Sequence, residues 1–422
     1  MEEIDLKILK LSPYFFPEQL SSTHLTNDLN EAFEKNKIKI EAYVPTPTRG
    51  ISKEVRKIYS QKRHEKLYNG TVEVTRFKMF REGKNPLIRA IRYILVNFIQ
   101  YFKGIRAKSI DIVYGASTPP TQGLLCALVA KKLSKKYGYK VSFIYELQDI
   151  FPDSLINAKL AKKNGIIWKI GRLIEDYTYR NSDKIIVISE SMKKNILNKG
   201  VQEKKIEVIS NWIDINNVRP ILRSDNFLLE KLNLKKEDFI VVYAGNFGAA
   251  QGTEIIFKVA KQLEEIKNLK FVLFGGGSYF EDAKQRAKNM KNIIINELLP
   301  LEYVSKVYSL GNVALITCKK GTGVAGMPSK TWSIMACNTP IIASFDTDSE
   351  LAYILEESGA GVCVEAENVE KLKEAIEKEY KDFILGIEKK INTREYVKNY
   401  ASKEVCVNRY IEILKEQMKN PI

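Results

Sequence analysis

The stretch FIVVYAGNFGAAQGTEII, residues 239–256, joins an apolar strand-like run to a glycine-rich turn and then to a helix-like segment. A buried strand that ends in such a turn and continues as a helix is the building unit of doubly wound α/β sheets. Strand-like and helical segments alternate on both sides of it, with KIIVIS (184–189) before it and KFVLFGGGS (270–278) after it. The sequence therefore predicts an α/β fold with doubly wound, Rossmann-like sheets.

A polar, turn-rich segment, VISNWIDINNVRPILRSDN (208–226), interrupts this alternation and separates two series of strands and helices. A length of 422 residues also suggests two or three domains of roughly 150 residues each. We therefore predict one domain over residues 1–210 and a second over residues 211–399, followed by a final helix over residues 400–422.

The composition, 45% apolar and 28% charged, is that of a folded globular protein. The five cysteines are far apart and form no CxxC pair, so we expect free thiols in a reducing compartment. The amino-terminal segment MEEIDLKILKLSPYF lacks the basic region and apolar core of a signal peptide, so the mature chain is expected to begin at residue 1. The longest apolar run, YILVNFIQYF (93–102), is about half of what a membrane span needs.

The net charge is +16, and most of it comes from residues 51–110, which contain fifteen lysines and arginines and four glutamates. Within this region, NPLIRAIRYILVNFIQYFKGIRAK (85–108) has apolar residues at helical spacing, with Arg89 and Arg92 on or beside that pattern. Such a helix could lie on an anionic membrane or contact an anionic ligand. The alternatives are a domain helix that packs its apolar side on a sheet, with a solvated charged edge, and a nucleic-acid surface, for which no recognised motif is present.

The stretch GVAGMPSKTWSIMACNTPII, residues 323–342, is a glycine-punctuated loop that places Lys330 directly before a short helix-like segment. The backbone of such a loop can approach a ligand closely, and the first NH groups of a helix have no internal partner, so phosphate can bind there. Glycine-rich turns also follow two other strands of this domain. The alternative is an ordinary entry into a helix, with Pro328 in the first turn and a solvated Lys330.

Several reaction classes lack their motifs in this sequence. The first strand-like run is followed by SPYFFPEQLSSTHL rather than GxGxxG, so a nicotinamide enzyme is not expected. The phosphate-binding pattern GxxxxGK[ST] and the nucleophile motif GxSxG are also missing. Asp346 and Asp348 could form a carboxylate pair for a metal ion, but a turn with an Asx cap is the favoured interpretation.

Taken in order, the segments YFFPE (14–18), STPPTQGLLCAL (117–128), YELQDIFPDS (145–154), VISNWID (208–214), YAGNFGAAQGTEII (243–256), VLFGGGS (272–278) and GMPSKTWSIMAC (326–337) resemble the family-four glycosyltransferases of the GT-B fold. The resemblance covers nearly the whole chain and is strongest to the bacterial surface-polysaccharide branch, near the fucosamine transferases. It implies two Rossmann-like domains that face a cleft, with the C-terminal helix crossing back to the first domain. It also implies a nucleotide-sugar donor on the second domain, an acceptor on the first, retention of anomeric configuration and no metal or other cofactor.

The resemblance assigns roles to individual residues. Lys330 would stabilise the leaving diphosphate, and Asp149 would orient the acceptor or the donor sugar, unless it forms an Asx turn or helix cap before Pro152. The first domain's candidate acceptor or membrane residues are Ser21, Ser22, His24, Arg89 and Arg92, although His24 is as readily a capping or surface residue. The donor-binding candidates are Asn246, Gly248, Gln251, Gly275, Gly276, Gly277, Leu299, Gly326, Met327, Pro328, Ser329 and Ser333.

The chain also departs from the family pattern. Asn246 and Gln251 stand where many members have an arginine and a lysine, so Lys330 is left as the main positive charge near the diphosphate. Ser333 stands where many members have a glutamate that binds ribose. Ser21 and Ser22 replace a common glycine pair, which makes close backbone approach to the ligand less expected there.

The resulting hypothesis is a glycosyltransferase on the cytoplasmic face of the membrane. It would move a sugar from a UDP-sugar to a lipid-linked glycan, as in the assembly of a capsule or an O-antigen. Peripheral contact with anionic membrane is part of this hypothesis, and a nucleic-acid partner is not. A nucleotide-sugar epimerase of the same fold is one alternative, although the chain has only His24 and His64 as histidine acid–base candidates. A non-catalytic basic protein that binds nucleic acid or membrane is the other.

Overall fold

The computed structural model describes residues 6–19, 23–83, 85–157, 162–323, 326–387 and 391–418. The chain forms two compact units. Unit 1 contains the residues up to Ile209 and those from Val407 onward, and unit 2 runs from Ser210 to Cys406. Each unit is an α/β structure built around a mainly parallel sheet, which confirms the predicted fold class.

In the described residues, the sheet of unit 1 has eight strands in the order β3-β4-β2-β1-β5-β6-β7-β8. Only the pairing of β3 with β4 is antiparallel. The central strands are almost fully buried, as expected for a parallel sheet with both faces covered. The strands are β1 (Lys7–Leu11), β2 (Lys39–Pro45), β3 (His64–Leu67), β4 (Val72–Phe77), β5 (Ile112–Ala116), β6 (Ser142–Leu147), β7 (Lys184–Val187) and β8 (Ile206–Val208).

The helices of unit 1 are α1 (Thr23–Lys35), α2 (Lys53–Gln61), α3 (Pro86–Gly104), α4 (Gln122–Tyr137), α5 (Asp153–Asn157), α6 (Ile166–Asn181) and α7 (Glu190–Asn198). Helix α4 packs against both α3 and α6. None of the helices within the described ranges is long and apolar enough to cross a membrane.

Helix α3 packs on unit 1 with its polar side. Arg92, Val96 and Gln100, spaced by four residues, are fully buried, whereas Ile94 and Phe98 are more than 60% exposed. The Gln100 amide donates to the carbonyls of Ser12 at 2.9 Å and Tyr43 at 2.7 Å, so it fastens the helix to the loop after β1 and to β2. The expectation that this helix packs its apolar side on the sheet is therefore wrong.

In the described residues, the sheet of unit 2 has six parallel strands in the order β11-β10-β9-β12-β13-β14. From β9 the chain adds β10 and β11 on one side and then continues on the other side of β9 with β12, β13 and β14. The topological switch point therefore lies between β9 and β12. In open α/β sheets, ligands bind outside the carboxyl ends of the strands at such a switch point. The strands are β9 (Phe239–Asn246), β10 (Leu269–Gly276), β11 (Ile293–Glu297), β12 (Val313–Thr317), β13 (Ile341–Phe345) and β14 (Gly361–Glu365).

The helices of unit 2 cover both faces of this sheet and bury apolar clusters on each side. They are α8 (Leu228–Lys231), α9 (Glu254–Gln262), α10 (Phe280–Ala287), α11 (Val304–Tyr308), α12 (Lys330–Ala336), α13 (Glu350–Ser358), α14 (Val369–Ile384) and α15 (Thr393–Tyr400). The last helix, α16 (Lys403–Glu416), begins in unit 2, and the chain belongs to unit 1 from Val407 onward.

Candidate functional site

Glycines lie near the carboxyl ends of β9 and β10, beside the switch point of unit 2. Gly245 near the end of β9 pairs in register with Gly275 on β10. A Cβ added at Gly245 would lie less than 3.0 Å from Nζ of Lys330, which is closer than real Cβ atoms come to other atoms. Gly245 therefore leaves the space that the lysine side chain fills.

Lys330 is the first residue of α12, and its ammonium group lies 4.2 Å from the centre of the Tyr243 ring. The residue as a whole is half-buried, but its ammonium end is desolvated, and this burial lowers its pKa to about 8. No carboxylate in the described part of the chain pairs with it. The alternative of a solvated loop lysine is therefore wrong, and an enclosed cation without a counter-charge favours binding of an anion.

Two amide side chains border the turn after β9. Nδ2 of Asn246 donates to Oε1 of Gln251 at 3.3 Å, so the residues that replace the usual basic pair contact each other. A Cβ at Gly248 or Gly277 would clash with the Asn246 side chain. The structure thus brings together four of the predicted donor-site residues around one turn.

Helix α12 has only seven residues, and the Thr331 NH, in its first turn, donates to the Pro328 carbonyl at 3.0 Å. The Thr331 NH therefore already has an acceptor, and this short helix offers fewer free NH groups at its start than the sequence suggested. The Ser333 hydroxyl has no hydrogen bond to a described residue. Of the other candidates, Gly276, Leu299, Gly326, Met327 and Pro328 are half-buried, and Ser329 is exposed.

Asp346 has a structural role that the sequence did not reveal. Its carboxylate accepts hydrogen bonds from the NH groups of Gly321 at 2.8 Å and Gly323 at 2.7 Å, in the loop after β12. Asp348 is exposed, and the N-cap of α13 is Ser349 rather than an aspartate. No three His, Cys, Asp or Glu side chains converge into a metal-binding group within the described ranges. Asp346 therefore anchors the loop after β12, which precedes Lys330 in the sequence.

Asp149 lies in the loop after β6 in unit 1. The hydroxyl of Ser117 accepts hydrogen bonds from the NH groups of Gln148 at 3.0 Å and Asp149 at 3.2 Å. The Asp149 carboxylate makes no hydrogen bond to a described residue, so an Asx turn or helix cap is not formed. The side chain is exposed, although partial desolvation raises the pKa of its carboxyl above the ordinary value. Ser117, which the sequence analysis missed, thus holds the backbone that carries the free Asp149 carboxylate.

The other candidates of unit 1 fall into different environments. Ser21 and Ser22 lie outside the described residues. His24 is a half-buried residue in the first turn of α1. Arg89 pairs with Glu82 at 2.9 Å and is partly exposed, whereas Arg92 is fully buried and donates to the Phe80 carbonyl at 3.3 Å. The prediction that Arg92 contacts a membrane is therefore wrong, because its side of α3 faces the protein.

Comparisons with known proteins agree with this architecture. A family model described as glycosyl transferases group 1 matches residues 224–404, and a model described as glycosyltransferase family 4 matches residues 26–217. The chain is 28% identical over 289 residues to the probable glycosyltransferase WbjE of Pseudomonas aeruginosa. It is 26% identical over 294 residues to WcaI of Escherichia coli, a putative colanic acid biosynthesis glycosyl transferase. Each match covers 68% of this chain and 70% of the relative.

Solved structures share the fold at low sequence identity. Sucrose-phosphate synthase from Thermosynechococcus elongatus matches with a TM-score of 0.72 at 16% identity, over 97% of this chain and 98% of that one. Alr3699/HepE of Anabaena, solved in complex with UDP, matches with a TM-score of 0.70 at 12% identity, over 98% of this chain and 100% of that one.

The loop anchor can be tested by replacing Asp346 with alanine. This variant leaves two NH groups without their acceptor, so we expect the free energy of unfolding to fall by about 1–3 kcal/mol. Urea denaturation followed by circular dichroism measures it. Asp348→Ala is the matched control, because it removes an exposed carboxylate two residues away and should change stability by less than about 0.5 kcal/mol. Equal stability of the two variants would contradict the anchoring role.

Proposed function

Since the chain belongs to the family-four glycosyltransferases of the GT-B fold, we propose that it transfers a sugar from a UDP-sugar to a lipid-linked glycan acceptor. The anomeric configuration would be retained, and the product would be a surface polysaccharide. The relative named for colanic acid biosynthesis and the UDP complex of a structural neighbour support this assignment. The observation that carries it is the enclosed, unpaired Lys330 ammonium at the switch point of unit 2.

The leaving group of the proposed reaction is a nucleoside diphosphate, so catalysis must stabilise negative charge that develops on its distal phosphate. A preformed cation in an enclosed site does this without reorganisation at the moment of reaction. Lys330 would supply that charge, and the Asn246 and Gln251 amides would donate neutral hydrogen bonds to phosphate oxygens. In this mechanism one lysine takes the place of the usual basic pair, and no divalent ion is required.

Asp149 is the proposed polar contact on the acceptor side. Its carboxylate is free, and its backbone is fixed by the Ser117 hydroxyl. A fixed carboxylate can accept a hydrogen bond from a sugar hydroxyl and so orient it. The epimerase alternative needs acid–base groups around the donor sugar, and both histidines lie in unit 1, with His64 exposed on β3. No feature of the Lys330 site favours that alternative.

The exposed apolar sides of α3 and α6 are the proposed membrane-facing surface. Like α3, helix α6 buries polar residues, Glu175 and Thr178, and exposes apolar ones, Ile166 and Leu173. Both helices pack against α4, so unit 1 exposes apolar residues on two helices that share a neighbour, and α3 also carries basic residues. Surfaces of this kind lie in the interface of anionic membranes. The proposed location is the cytoplasmic face of the plasma membrane, with these two helices against the lipid.

The charge of Lys330 can be removed directly. Lys330→Ala should lower the rate of sugar transfer by on the order of a hundredfold, as loss of a charge-stabilising donor does in other enzymes. Gly245→Ala should also lower it, because the added methyl group takes the space of the ammonium. Lys288→Ala, which removes an exposed lysine of the same unit, is the control. Transfer from a panel of nucleotide sugars to lipid-linked acceptors is the assay, and near-normal turnover of Lys330→Ala would remove this lysine from the mechanism.

The lowered pKa of Lys330 predicts the pH dependence of nucleotide binding. The ammonium is charged below about pH 8 and neutral above it. The affinity for UDP should therefore be steady from pH 6 to 7 and fall as the pH rises through about 8, by at most about tenfold per pH unit. Calorimetric titration at several pH values measures this. Lys330→Arg keeps its charge throughout that range and should abolish the fall; a wild-type profile that is flat to pH 10 would refute the proposal.

Flotation with liposomes that contain phosphatidylglycerol tests the membrane surface. The double variant Ile94→Asp with Phe98→Asp places two charges on the exposed side of α3 and should reduce the floating fraction several-fold at low salt. Leu222→Asp is the matched control, since Leu222 is a 72% exposed residue of unit 2. Wild-type protein that does not float, or a double variant that floats like the control, would rule out this surface.

A further inference from the structure

A second electropositive cavity lies in unit 1, at the carboxyl edge of its sheet. It has a volume of about 480 Å³ and is lined by Thr46, Arg56, Ser60, Lys78, Met79 and Phe80. Thr46 follows β2, and Lys78 follows β4, which is the parallel neighbour of β2. The cavity therefore lies at the carboxyl ends of two parallel strands, which is the edge of an α/β sheet on which ligands bind.

Two guanidinium groups bond carbonyls of the cavity lining, and one of them, Arg56, lines the cavity itself. Arg56 donates to the carbonyl of Met79 at 2.9 Å and to that of Pro47. Arg92 donates through Nε to the carbonyl of the next residue, Phe80, at 3.3 Å. Neither terminal nitrogen of Arg92 has a hydrogen-bond partner among the described residues, although both are buried. Arg92 does not line the cavity, so its buried charge would favour an anion there through space rather than through a hydrogen bond.

The acidic groups nearby are already committed to other partners. Glu82 accepts two hydrogen bonds from Arg49, at 2.6 and 3.1 Å, and one from Tyr14 at 2.7 Å, whereas its closest approach to Arg92 is 3.9 Å. The Glu18 carboxylate is buried and accepts hydrogen bonds from the NH groups of residues 15, 48 and 49 and from a threonine hydroxyl. The cavity therefore keeps an excess of positive charge.

The pKa of Arg56 responds to this excess of positive charge. Burial lowers the pKa of the Arg56 guanidinium, and so do the neighbouring charges of Arg92 and Arg81. Lys78 adds an exposed ammonium on the rim, with no carboxylate partner in the described part of the chain. The Ser60 hydroxyl donates to the Lys57 carbonyl at 2.7 Å and keeps its own acceptor capacity.

We infer that this cavity binds a phosphate or diphosphate group of the ligand held by unit 1. The Arg56 guanidinium and the Lys78 ammonium line one cavity together with the Thr46 and Ser60 hydroxyls, and these groups match the several oxygens of such a ligand. The inference rests on the proposed function in one respect, since a lipid-linked acceptor carries a diphosphate. It differs from the Lys330 site, because it assigns a second phosphate position to the other unit of the chain.

The experiment uses the full-length Lys330→Ala protein, in which the phosphate position of unit 2 has been removed. Calorimetric titration with inorganic pyrophosphate should still show one binding event. Adding Lys78→Gln should lower its affinity by about tenfold, because a charge-assisted donor is lost. Ser60→Ala should lower it less. Adding Lys132→Gln, which removes an exposed lysine of α4, should leave it unchanged and so corrects for the general basic charge.

The outcomes separate this inference from the proposed function. Equal affinities in the Lys78→Gln and Lys132→Gln proteins, or no pyrophosphate binding, would overturn the cavity assignment whether or not sugar transfer occurs. A protein that binds pyrophosphate but transfers no sugar to any acceptor would contradict the proposed function and leave the cavity assignment intact. Flotation with phosphatidylglycerol vesicles then identifies the source of the group. A defect of Lys78→Gln in both assays indicates a lipid headgroup, and a defect with pyrophosphate alone indicates an acceptor phosphate.

Discussion

The Lys330 ammonium against Gly245 and the Tyr243 ring is the interaction on which the proposed chemistry depends. It needs a glycine near the end of a strand, an aromatic ring beside that glycine, and a lysine whose ammonium group lies against both. The parallel sheet of unit 2 supplies the glycine and the aromatic ring, and Asp346 accepts two hydrogen bonds from the loop after β12, which precedes the lysine in the sequence. A cation in this position is costly to enclose without a counter-ion, so it is poised for an anionic ligand.

Much of the fold could be predicted from the sequence, because long apolar runs and glycine-rich turns are local signals. The same signals placed Lys330 and the turn from Asn246 to Gln251 in one unit. Asp346 and Ser117 could not be recognised, because their partners lie 23 to 32 residues away and leave no periodic pattern. Both tie down a loop at the carboxyl edge of a sheet, a role that only the folded backbone reveals.

Helix α3 shows where pattern analysis gave the wrong answer. Apolar periodicity predicts which residues share a side of a helix, but the usual assumption that the apolar side faces the core does not hold here. The Gln100 amide donates to two backbone carbonyls inside unit 1, and Arg92 bonds one carbonyl through Nε, so the polar side of the helix faces the protein and the apolar side is left exposed. Helix α6 repeats this arrangement with Glu175, so it too buries a polar residue that has partners and exposes apolar ones.

The most direct test of the account is the titration of Lys330 itself, followed by NMR of lysine side chains labelled with ¹³C at Cε and assigned with Lys330→Ala. The account predicts one resonance that titrates near pH 8 in the free protein and moves to higher pH when UDP is added, because the diphosphate stabilises the ammonium. A Lys330 resonance that titrates at the ordinary lysine value of about 10.4 and does not respond to UDP would contradict it.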